Sequence, residues 1–356
     1  MALQGSEKQA DVLLPSGWNG TNPTSTSLFT LDSLELHLIS GSQFSPIADA
    51  VGTLRESTYR QQLSGSGNTR DLDGRDPFYD HLLLLDLESG ALAGSARLQF
   101  IPQATPLEQL PGSEHSYLEH VYPGIKALLA ERQHHVEIGR VALAQRFQRQ
   151  PHSLMALFRG GLLISSLSGY STLHGLVSYN HFDFSDTVNN AFLSALMQPP
   201  YRREDLGLPG PRHPVPSIQS SNKPHSIDNV QALELALRND YGEDFRLPVL
   251  LRQYFNLMGA QVCNLSLAKD FNQITEILMA AELKSLPKER LNYSLMYPIN
   301  RSTSTSAGTE AKPEPAVAGN LARQPSGAPI GRGTPRQARA RGTPCGDPPS
   351  LSLIHI

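Results

Sequence analysis

Two periods of apolar residues organise the middle of the chain. An apolar residue at every second position is typical of a strand with one buried face, whereas apolar residues three or four positions apart are typical of a helix. Strands are predicted at 34–40, on both sides of a turn at Ser89-Gly90 within 80–102, at 134–145, at 174–182, and as two extended segments within 260–283. Helices are predicted at 44–63, 116–133 with an interruption at Pro123-Gly124, 152–170, 185–197, 228–239 and 247–259.

The order of these elements favours an α/β fold. Strands that alternate with helices usually form a sheet that is covered by helices on both faces. The pair within 80–102 is joined by a short turn, so it forms an antiparallel hairpin, and the sheet is predicted to be mixed. Ser153 and Ser185 stand at the beginning of two predicted helices, where a serine hydroxyl can accept a hydrogen bond from a free backbone amide. Both are therefore predicted helix caps.

Composition divides the chain into three zones. Residues 1–33 are rich in Ser, Thr, Gly, Asn and Pro and are predicted to form a flexible arm. Residues 34–297 carry the periodic patterns and are predicted to fold as one domain, whereas residues 298–356 are rich in Pro, Gly, Ser and Arg and are predicted to be disordered. The final "LSLIHI" (351–356) can be translated from CTG TCT CTT ATA CAC ATC, which resembles a transposase sequencing adapter. The hypothesis is that the reading frame runs into adapter there, with an ordinary apolar tail as the alternative.

Composition and charge exclude several classes of protein. A formal charge of −3 does not suit a generic nucleic-acid binder. Cys263 and Cys345 form neither a disulfide framework nor a metal-ligand spacing, and His134-His135 has no further ligand at a suitable spacing, so no metal site is predicted. The N-terminus lacks the features of a secretory signal, and no apolar run reaches the roughly 18 residues of a membrane span. A cytoplasmic location is expected, with peripheral contact with the inner membrane left open.

The predicted strand at 134–145 carries two charges and a glycine inside an apolar run. Glu137 and Arg140 are three positions apart, so a regular strand would direct them to opposite faces. Gly139 lies between them and suits a β-bulge, which would shift the alternation and bring both charges into one cleft. There Glu137 would bind or deprotonate an amine, and Arg140 would hold a carboxylate or steady Glu137. A structural ion pair on a half-exposed strand is the alternative.

A series of short motifs resembles one enzyme family. In chain order the motifs are "LRESTYR", "RDLDGRDPFYDHLLLLD", "GALAGSARL", "VEIGRVAL", "LFRGGLL" and "DFNQITEIL". Their order and spacing resemble those of the ornithine N-acyltransferases, bacterial hemolysin-like enzymes of the GNAT (Gcn5-related N-acetyltransferase) superfamily. The resemblance covers residues 34–297 and implies a GNAT-like fold, with a mixed, mostly antiparallel sheet and helices on both faces.

The resemblance also implies an activity and a set of site residues. Members transfer a fatty acyl group, typically 3-hydroxylated, from acyl carrier protein to the α-amine of ornithine, giving lyso-ornithine lipid. Glu137 and Arg140 fall on the family's catalytic Glu-x-Gly-Arg strand. The residues that fall on its substrate-binding positions are the acidic cluster Asp71, Asp73 and Asp76, for a cationic amine, together with Arg97 and Arg55. Solvated side chains on a loop, a strand and a helix are the alternative for these five.

The acyl donor of such an enzyme lies at a defined place. In a GNAT-like fold the donor's extended arm lies where two parallel strands separate, and the backbone amides exposed there polarise the thioester carbonyl. The loop that would hold a coenzyme A pyrophosphate, 145–153, contains no glycine. This favours an acyl-phosphopantetheine arm on acyl carrier protein over acyl-CoA as the co-substrate, and no bound cofactor is expected. Because acyl carrier protein is acidic, Arg146, Arg149 and Arg159 are predicted to form part of its docking face, with a solubilising surface as the alternative.

Two alternatives to an ornithine acyltransferase stay open. Acyl-homoserine lactone synthases have a similar acidic cluster followed by Glu-x-x-Arg, but they carry a tryptophan near the cluster, whereas Trp18 of this chain lies in the predicted arm. The second alternative is a GNAT-fold module that has lost catalysis and serves as a binding subunit. The presence of Glu137, Arg140, Arg97 and Asp76 favours an enzyme.

Overall fold

The computed structural model describes residues 11–15, 25–62, 64–203, 206–216, 229–242 and 244–286. The strands of these residues are β1 (Ser25–Leu31), β2 (Leu34–Ile39), β3 (Asp80–Asp86), β4 (Leu92–Ile101), β5 (His135–Leu143), β6 (Thr172–Tyr179), β7 (Gln261–Ala268) and β8 (Ile274–Glu282). Their α-helices are α1 (Ala48–Gln61), α2 (Tyr117–Val121), α3 (Ile125–Arg132), α4 (Pro151–Leu167), α5 (Asp186–Leu196), α6 (Val230–Tyr241) and α7 (Val249–Met258). Among these helices, none combines the length and the apolar composition needed to cross a bilayer.

The strands form one sheet in the order β1-β2-β3-β4-β5-β6-β8-β7. Neighbouring strands are antiparallel except for β5 and β6, which are parallel. A parallel pair requires a crossover connection, and α4 lies between these two strands in the chain. The predicted GNAT-like sheet, mixed and mostly antiparallel, is confirmed, and each predicted strand and helix is present with small shifts at its ends.

Helices cover both faces of the sheet. On one face α4 lies directly against β2, because Gly160 has no side chain: a Cβ there would lie 2.1 Å from Cδ2 of Leu36. On the same face, Tyr254 of α7 packs edge-on against Phe158 of α4. On the other face, α2 and α3 pack on β8 in a separate apolar cluster that includes Leu278. This second face also carries α1, which contacts β4 and β5.

The two predicted helix caps have different outcomes. The Ser185 hydroxyl accepts a hydrogen bond from the amide of Val188 at the beginning of α5, as predicted. The prediction for Ser153 was wrong, because α4 begins at Pro151, and Gln150, which precedes it, makes no side-chain capping bond. Proline at the first position of a helix has no amide that needs a partner, so α4 begins without a serine cap.

The segment predicted as a flexible arm, 1–33, contains a strand of the sheet. Ser25–Leu31 forms β1, antiparallel to β2 at the edge of the sheet, and Leu13 forms an isolated bridge with Ala91. The Ser- and Thr-rich composition concealed this strand, although Leu28 and Phe29 pack against the core. Much of the predicted arm, the boundary near residue 297 and the tail 298–356 with its final segment 351–356 lie outside the described residues.

Candidate active site

The parallel strands β5 and β6 separate halfway along their length. Their pairing ends at Ile138 and Gly175, although β5 continues to Leu143 and β6 continues to Tyr179. Both strands are described in full, and no further pair joins them beyond this point. A cavity with a volume of about 510 Å³ lies at the separation and is lined by both strands. The predicted separation of two parallel strands is therefore confirmed.

A β-bulge in β5 shapes one wall of this cavity. Arg140 and Val141 of β5 stand opposite the single residue Ala96 of β4. Arg140 has a φ of 52°, a left-handed conformation that is uncommon for a residue with a side chain. The bulge brings Glu137 and Arg140 to one cavity, as predicted. The residue with the left-handed backbone conformation is Arg140 rather than Gly139. Gly139 lines the cavity, and a Cβ added there would have no described atom within 4 Å.

Six charged side chains of alternating sign form a continuous chain of ion pairs beside the cavity. They come from α1, from the loop before β3, from β4 and from β5. In order along the chain of pairs they are Arg55, Asp76, Arg97, Asp73, Arg140 and Asp71. The N–O distances range from 2.7 Å for Arg55 and Asp76 to 3.3 Å for Arg140 and Asp71. Three arginines thus balance the charge of three aspartates inside the protein.

The acidic cluster holds the arginines in place and does not itself line the cavity. Of the six charges, only Arg97 and Arg140 are part of the cavity lining. Burial by itself raises the pKa of Asp76, but the neighbouring guanidinium groups outweigh burial and lower it; for Asp71 burial dominates, and the pKa is raised. Direct recognition of a cationic amine by Asp71, Asp73 and Asp76 does not fit this geometry, because the charge of each is already compensated.

The carboxylate of Glu137 is surrounded by donors. Oε1 accepts hydrogen bonds from the hydroxyl of Tyr79 at 2.6 Å and the amide of Leu118 at 3.1 Å. Oε2 accepts one from the hydroxyl of Ser116 at 2.7 Å and lies 2.7 Å from Nζ of Lys126. Burial raises the pKa of Glu137, but the charge and hydrogen bond of Lys126 and the two hydroxyls outweigh burial, and the pKa is lowered. Glu137 lines the cavity as predicted, but its ionic partner is Lys126 rather than the predicted arginine.

A second acid lines the same cavity and was not among the predicted site residues. Oε1 of Glu276, in β8, accepts a hydrogen bond from the hydroxyl of Tyr117 at 2.9 Å, and Oε2 accepts one from Ser266 at 3.3 Å. Burial raises the pKa of Glu276 to about 7, because the hydrogen bond from Tyr117 and the charge of Arg140 offset burial only in part. The sequence contained a signal for this residue, since Glu276, like Glu137, interrupts an apolar strand, "ITEILMAA".

The three arginines predicted to dock acyl carrier protein have different surroundings. Arg146 lies 2.5 Å from Asp86 and 2.8 Å from Asp11, so its guanidinium group already pairs with two acids of this chain. Arg159 is 8% exposed and cannot form a docking surface, because it lies in the middle of a helix that packs on the sheet. Arg149 is exposed in the turn before α4 and is the one of the three whose surroundings suit the predicted role.

Comparisons with known proteins found one protein family and several solved structures that are similar to this chain. Residues 54–158 match the model of the acetyltransferase (GNAT) domain family. Among solved structures, the N-acyl amino acid synthase FeeM from uncultured soil microbes is similar at 12% identity and a TM-score of 0.36, over 70% of this chain and 92% of that one. The acyl-homoserine lactone synthase LasI is similar at 10% identity and a TM-score of 0.36, over 72% of this chain and 94% of that one. The loading GNATL domain of CurA from Lyngbya majuscula is similar at 14% identity and a TM-score of 0.34, over 70% of this chain and 98% of that one.

No curated protein sequence matches the chain. The segment that matches the family model extends from α1 to α4 and includes the whole of β5 with its bulge. The same sheet carries the separated pair of parallel strands and the cavity between them. Residues 54–158 thus resemble an acetyltransferase (GNAT) domain within a GNAT-like fold, and the chain is an acyltransferase.

Proposed function

We propose that this acyltransferase transfers a fatty acyl group, 3-hydroxylated in the family that the sequence resembles, from acyl carrier protein to the α-amine of an amino acid. Ornithine is the proposed acceptor and lyso-ornithine lipid the proposed product. The observation that carries the proposal is the cavity at the separation of β5 and β6. Its lining includes the apolar side chains of Ile138, Val141, Leu176, Val177 and Leu250, which suit an extended apolar donor.

The chemistry of N-acyl transfer needs few groups from the protein. The donor carbonyl must be polarised, the amine must be deprotonated, and the two must be aligned. Beyond Ile138 and Gly175 the backbone edges of β5 and β6 are free of each other, so their amides can donate to a carbonyl oxygen. Arg140 binds Asp71 and Asp73 through its two Nη atoms, and a guanidinium group has five N–H donors. The remaining donors can hold the carboxylate of an amino acid at the cavity wall.

The family resemblance supports ornithine as the acceptor, whereas the acidic cluster does not. Because the aspartates of that cluster are paired with arginines, they offer no uncompensated negative charge to a second amine. The choice of acyl carrier protein rests on the absence of glycine from the loop 145–153 and on the exposed position of Arg149. Donor and acceptor are therefore tested separately.

A competition assay tests the acceptor. The full-length chain is incubated with a 3-hydroxyacyl carrier protein and equimolar ornithine, lysine, glutamine and glycine, and the products are measured by mass spectrometry. N-acylornithine should dominate, with N-acyllysine detectable, because one methylene group changes specificity by about 1–3 kcal/mol. Preference for glycine or glutamine would contradict ornithine but not N-acyl transfer. Hydrolysis of the donor without any amide product would contradict N-acyl transfer.

A parallel reaction tests the donor. The same acyl group is supplied on acyl carrier protein or on coenzyme A, and initial rates are compared with a single acceptor. The carrier should be the better donor, and Arg149→Glu should raise the KM for the carrier more strongly at low salt, because the attraction between surface charges is screened by ions. Equal rates with both donors and no effect of salt would contradict the carrier.

A further inference from the structure

We propose that Glu276 is the general base of this site and takes the proton from the attacking amine, while Glu137 is a positioning residue that holds the wall of the cavity. This inference rests on the proposed N-acyl transfer. It assigns a catalytic role to a residue of β8, outside the segment 54–158 that matches the GNAT family model.

The number of donors around each carboxylate carries the assignment. A carboxylate has about four acceptor positions. The Glu137 carboxylate accepts hydrogen bonds from Tyr79, Ser116 and Leu118 and forms an ion pair with Lys126. Its four acceptor positions are therefore taken by the protein. Among the described residues, the Glu276 carboxylate accepts hydrogen bonds from two hydroxyl groups. Its two remaining acceptor positions can take a proton or a hydrogen bond from a substrate N–H group. Both carboxylates line the cavity, but only Glu276 has acceptor capacity left there.

The position of Glu276 in the sheet suits an amine that approaches the separated strands. Glu276 pairs across the β6–β8 ladder with Ser178, which lies beyond Gly175, the last residue of β6 that pairs with β5. Glu137, by contrast, pairs with His174 on the closed side of the separation. The carboxylate of Glu276 therefore lies beside the open part of the cavity, where both strands have free edges.

The ionisable groups around Glu276 keep its carboxyl able to exchange a proton near neutral pH. Tyr117 of α2 donates a hydrogen bond to the Glu276 carboxylate, and Tyr122, directly after α2, interacts with it electrostatically. The charge of Arg140 acts on it from β5, and the charge of Asp270 acts on it from the turn between β7 and β8. Burial raises the pKa of Glu276 to about 7, and the positive charge of Arg140 limits this rise. A general base works best when its pKa is close to the pH at which the enzyme operates.

The proton balance of the step is complete with these groups. An ammonium group of the acceptor gives one proton to the Glu276 carboxylate, and the nitrogen lone pair that this frees forms a bond to the thioester carbonyl carbon. When the tetrahedral adduct collapses, the C–S bond breaks, and the sulfur leaves with the bonding electron pair. The second proton of the nitrogen passes to the thiolate, giving an amide and a thiol. The Glu276 carboxyl then releases its proton to solvent.

The test compares three variants over a range of pH. Glu276→Gln keeps the size of the side chain and removes the base, Glu276→Asp keeps the base on a shorter stem, and Glu282→Gln removes an exposed acid from the same strand as a control. At pH 7, Glu276→Gln should lower kcat about 100-fold or more with little change in KM, as loss of a general base does. Glu276→Asp should keep part of the activity, and Glu282→Gln should resemble the wild type.

The pH profile separates catalysis from a structural role. An acceptor with a free α-amine no longer needs a base, and α-amino groups have a pKa of about 8, so the loss caused by Glu276→Gln should shrink at pH 9. A ratio of wild-type to variant kcat that stays constant from pH 6 to pH 9 would overturn the proposal, as would a variant with higher KM for ornithine and unchanged kcat. If the wild type forms no N-acyl product with any acceptor, the proposed function itself fails. If the wild type forms product and Glu276→Gln forms it equally fast, only the role of Glu276 fails.

Discussion

Replacing Glu276 by glutamine should stabilise the folded chain at pH 8 and change its stability much less at pH 5. The pKa of the Glu276 carboxyl is about 7 in the folded chain, against 4.5 for an unperturbed glutamate. At pH 8 the folded chain must hold an anion in a buried site, and the free-energy cost corresponds to the difference between these two pKa values. At about 1.36 kcal/mol for each pKa unit, the cost is about 3 kcal/mol.

The direction of this effect follows from the protons that each state binds. Between about pH 4.5 and pH 7 the folded chain retains a proton that the unfolded chain has lost, so the free energy of unfolding falls as the pH rises. Glutamine does not ionise and removes this dependence. His81 and His174, whose pKa values are lowered to about 3 chiefly by burial, also change protonation on unfolding in this range. They are present in both proteins, so their contribution cancels in the comparison.

Urea unfolding followed by circular dichroism measures the effect. The free energy of unfolding of wild type and Glu276→Gln is obtained at pH 5 and pH 8 by linear extrapolation, and the difference between the two proteins should change by about 2–3 kcal/mol between these pH values. For Glu282→Gln, which removes an exposed acid that pairs with Arg203, the difference should change by less than about 1 kcal/mol. A wild-type-to-variant difference that is equal at pH 5 and pH 8 would refute the argument from burial.

Two further predictions concern the ion pairs and the glycines of the cavity. Asp76→Asn should lower the free energy of unfolding by about 3–5 kcal/mol, because it removes the carboxylate that pairs with the buried guanidinium group of Arg55. Asp49→Asn, which removes an exposed ion pair, should cost less than about 1 kcal/mol, and equal losses in urea unfolding would contradict the buried network. Gly175→Ala should destabilise the fold by about 1–3 kcal/mol and narrow the cavity, because the new Cβ would lie 2.3 Å from Oη of Tyr254. Gly139→Ala should be tolerated, since its Cβ meets open space; a thermal melt in which both alanine variants behave alike would contradict this difference.

Local patterns predicted every strand and α-helix of the described residues except β1, because the causes of these patterns are local. The alternation in the strand at 134–145 depends only on which residues face the core. The glycine between Glu137 and Arg140 indicated a β-bulge that interrupts this alternation. The exact residue in the left-handed conformation was not predictable in this way. The position of this residue depends on the pairing of β5 with β4, in which two residues of β5 share one partner. The sequence does not show this register directly.

The pairing of charges was not predictable, because the partners come from distant parts of the chain. Asp76 meets Arg55 across 21 positions, and Glu276 meets Tyr117 across 159 positions. An acidic loop in a sequence therefore looks available for a cationic ligand, even when the fold supplies an arginine to each of its members. The role of Glu276 was not predictable for the same reason, because the role of an isolated acid in an apolar strand depends on the elements that pack around it.

The bulge in β5 changes which residue numbers, odd or even, point to each face of the sheet. Before it, residues with odd numbers such as Glu137 face the helices α1 and α2, and after it Ala142, which pairs with Ser95 of β4, takes that direction. A deletion of one residue between Gly139 and Ala142 would remove the bulge and leave both halves of the strand on their present faces. The single residue left opposite Ala96 would point away from the face of Glu137, so the arginine side chain could no longer share a cavity with that acid. The length of this short stretch is therefore as much a part of the enzyme as the identity of its side chains, and engineered variants of the cavity should keep the count of residues between these two points.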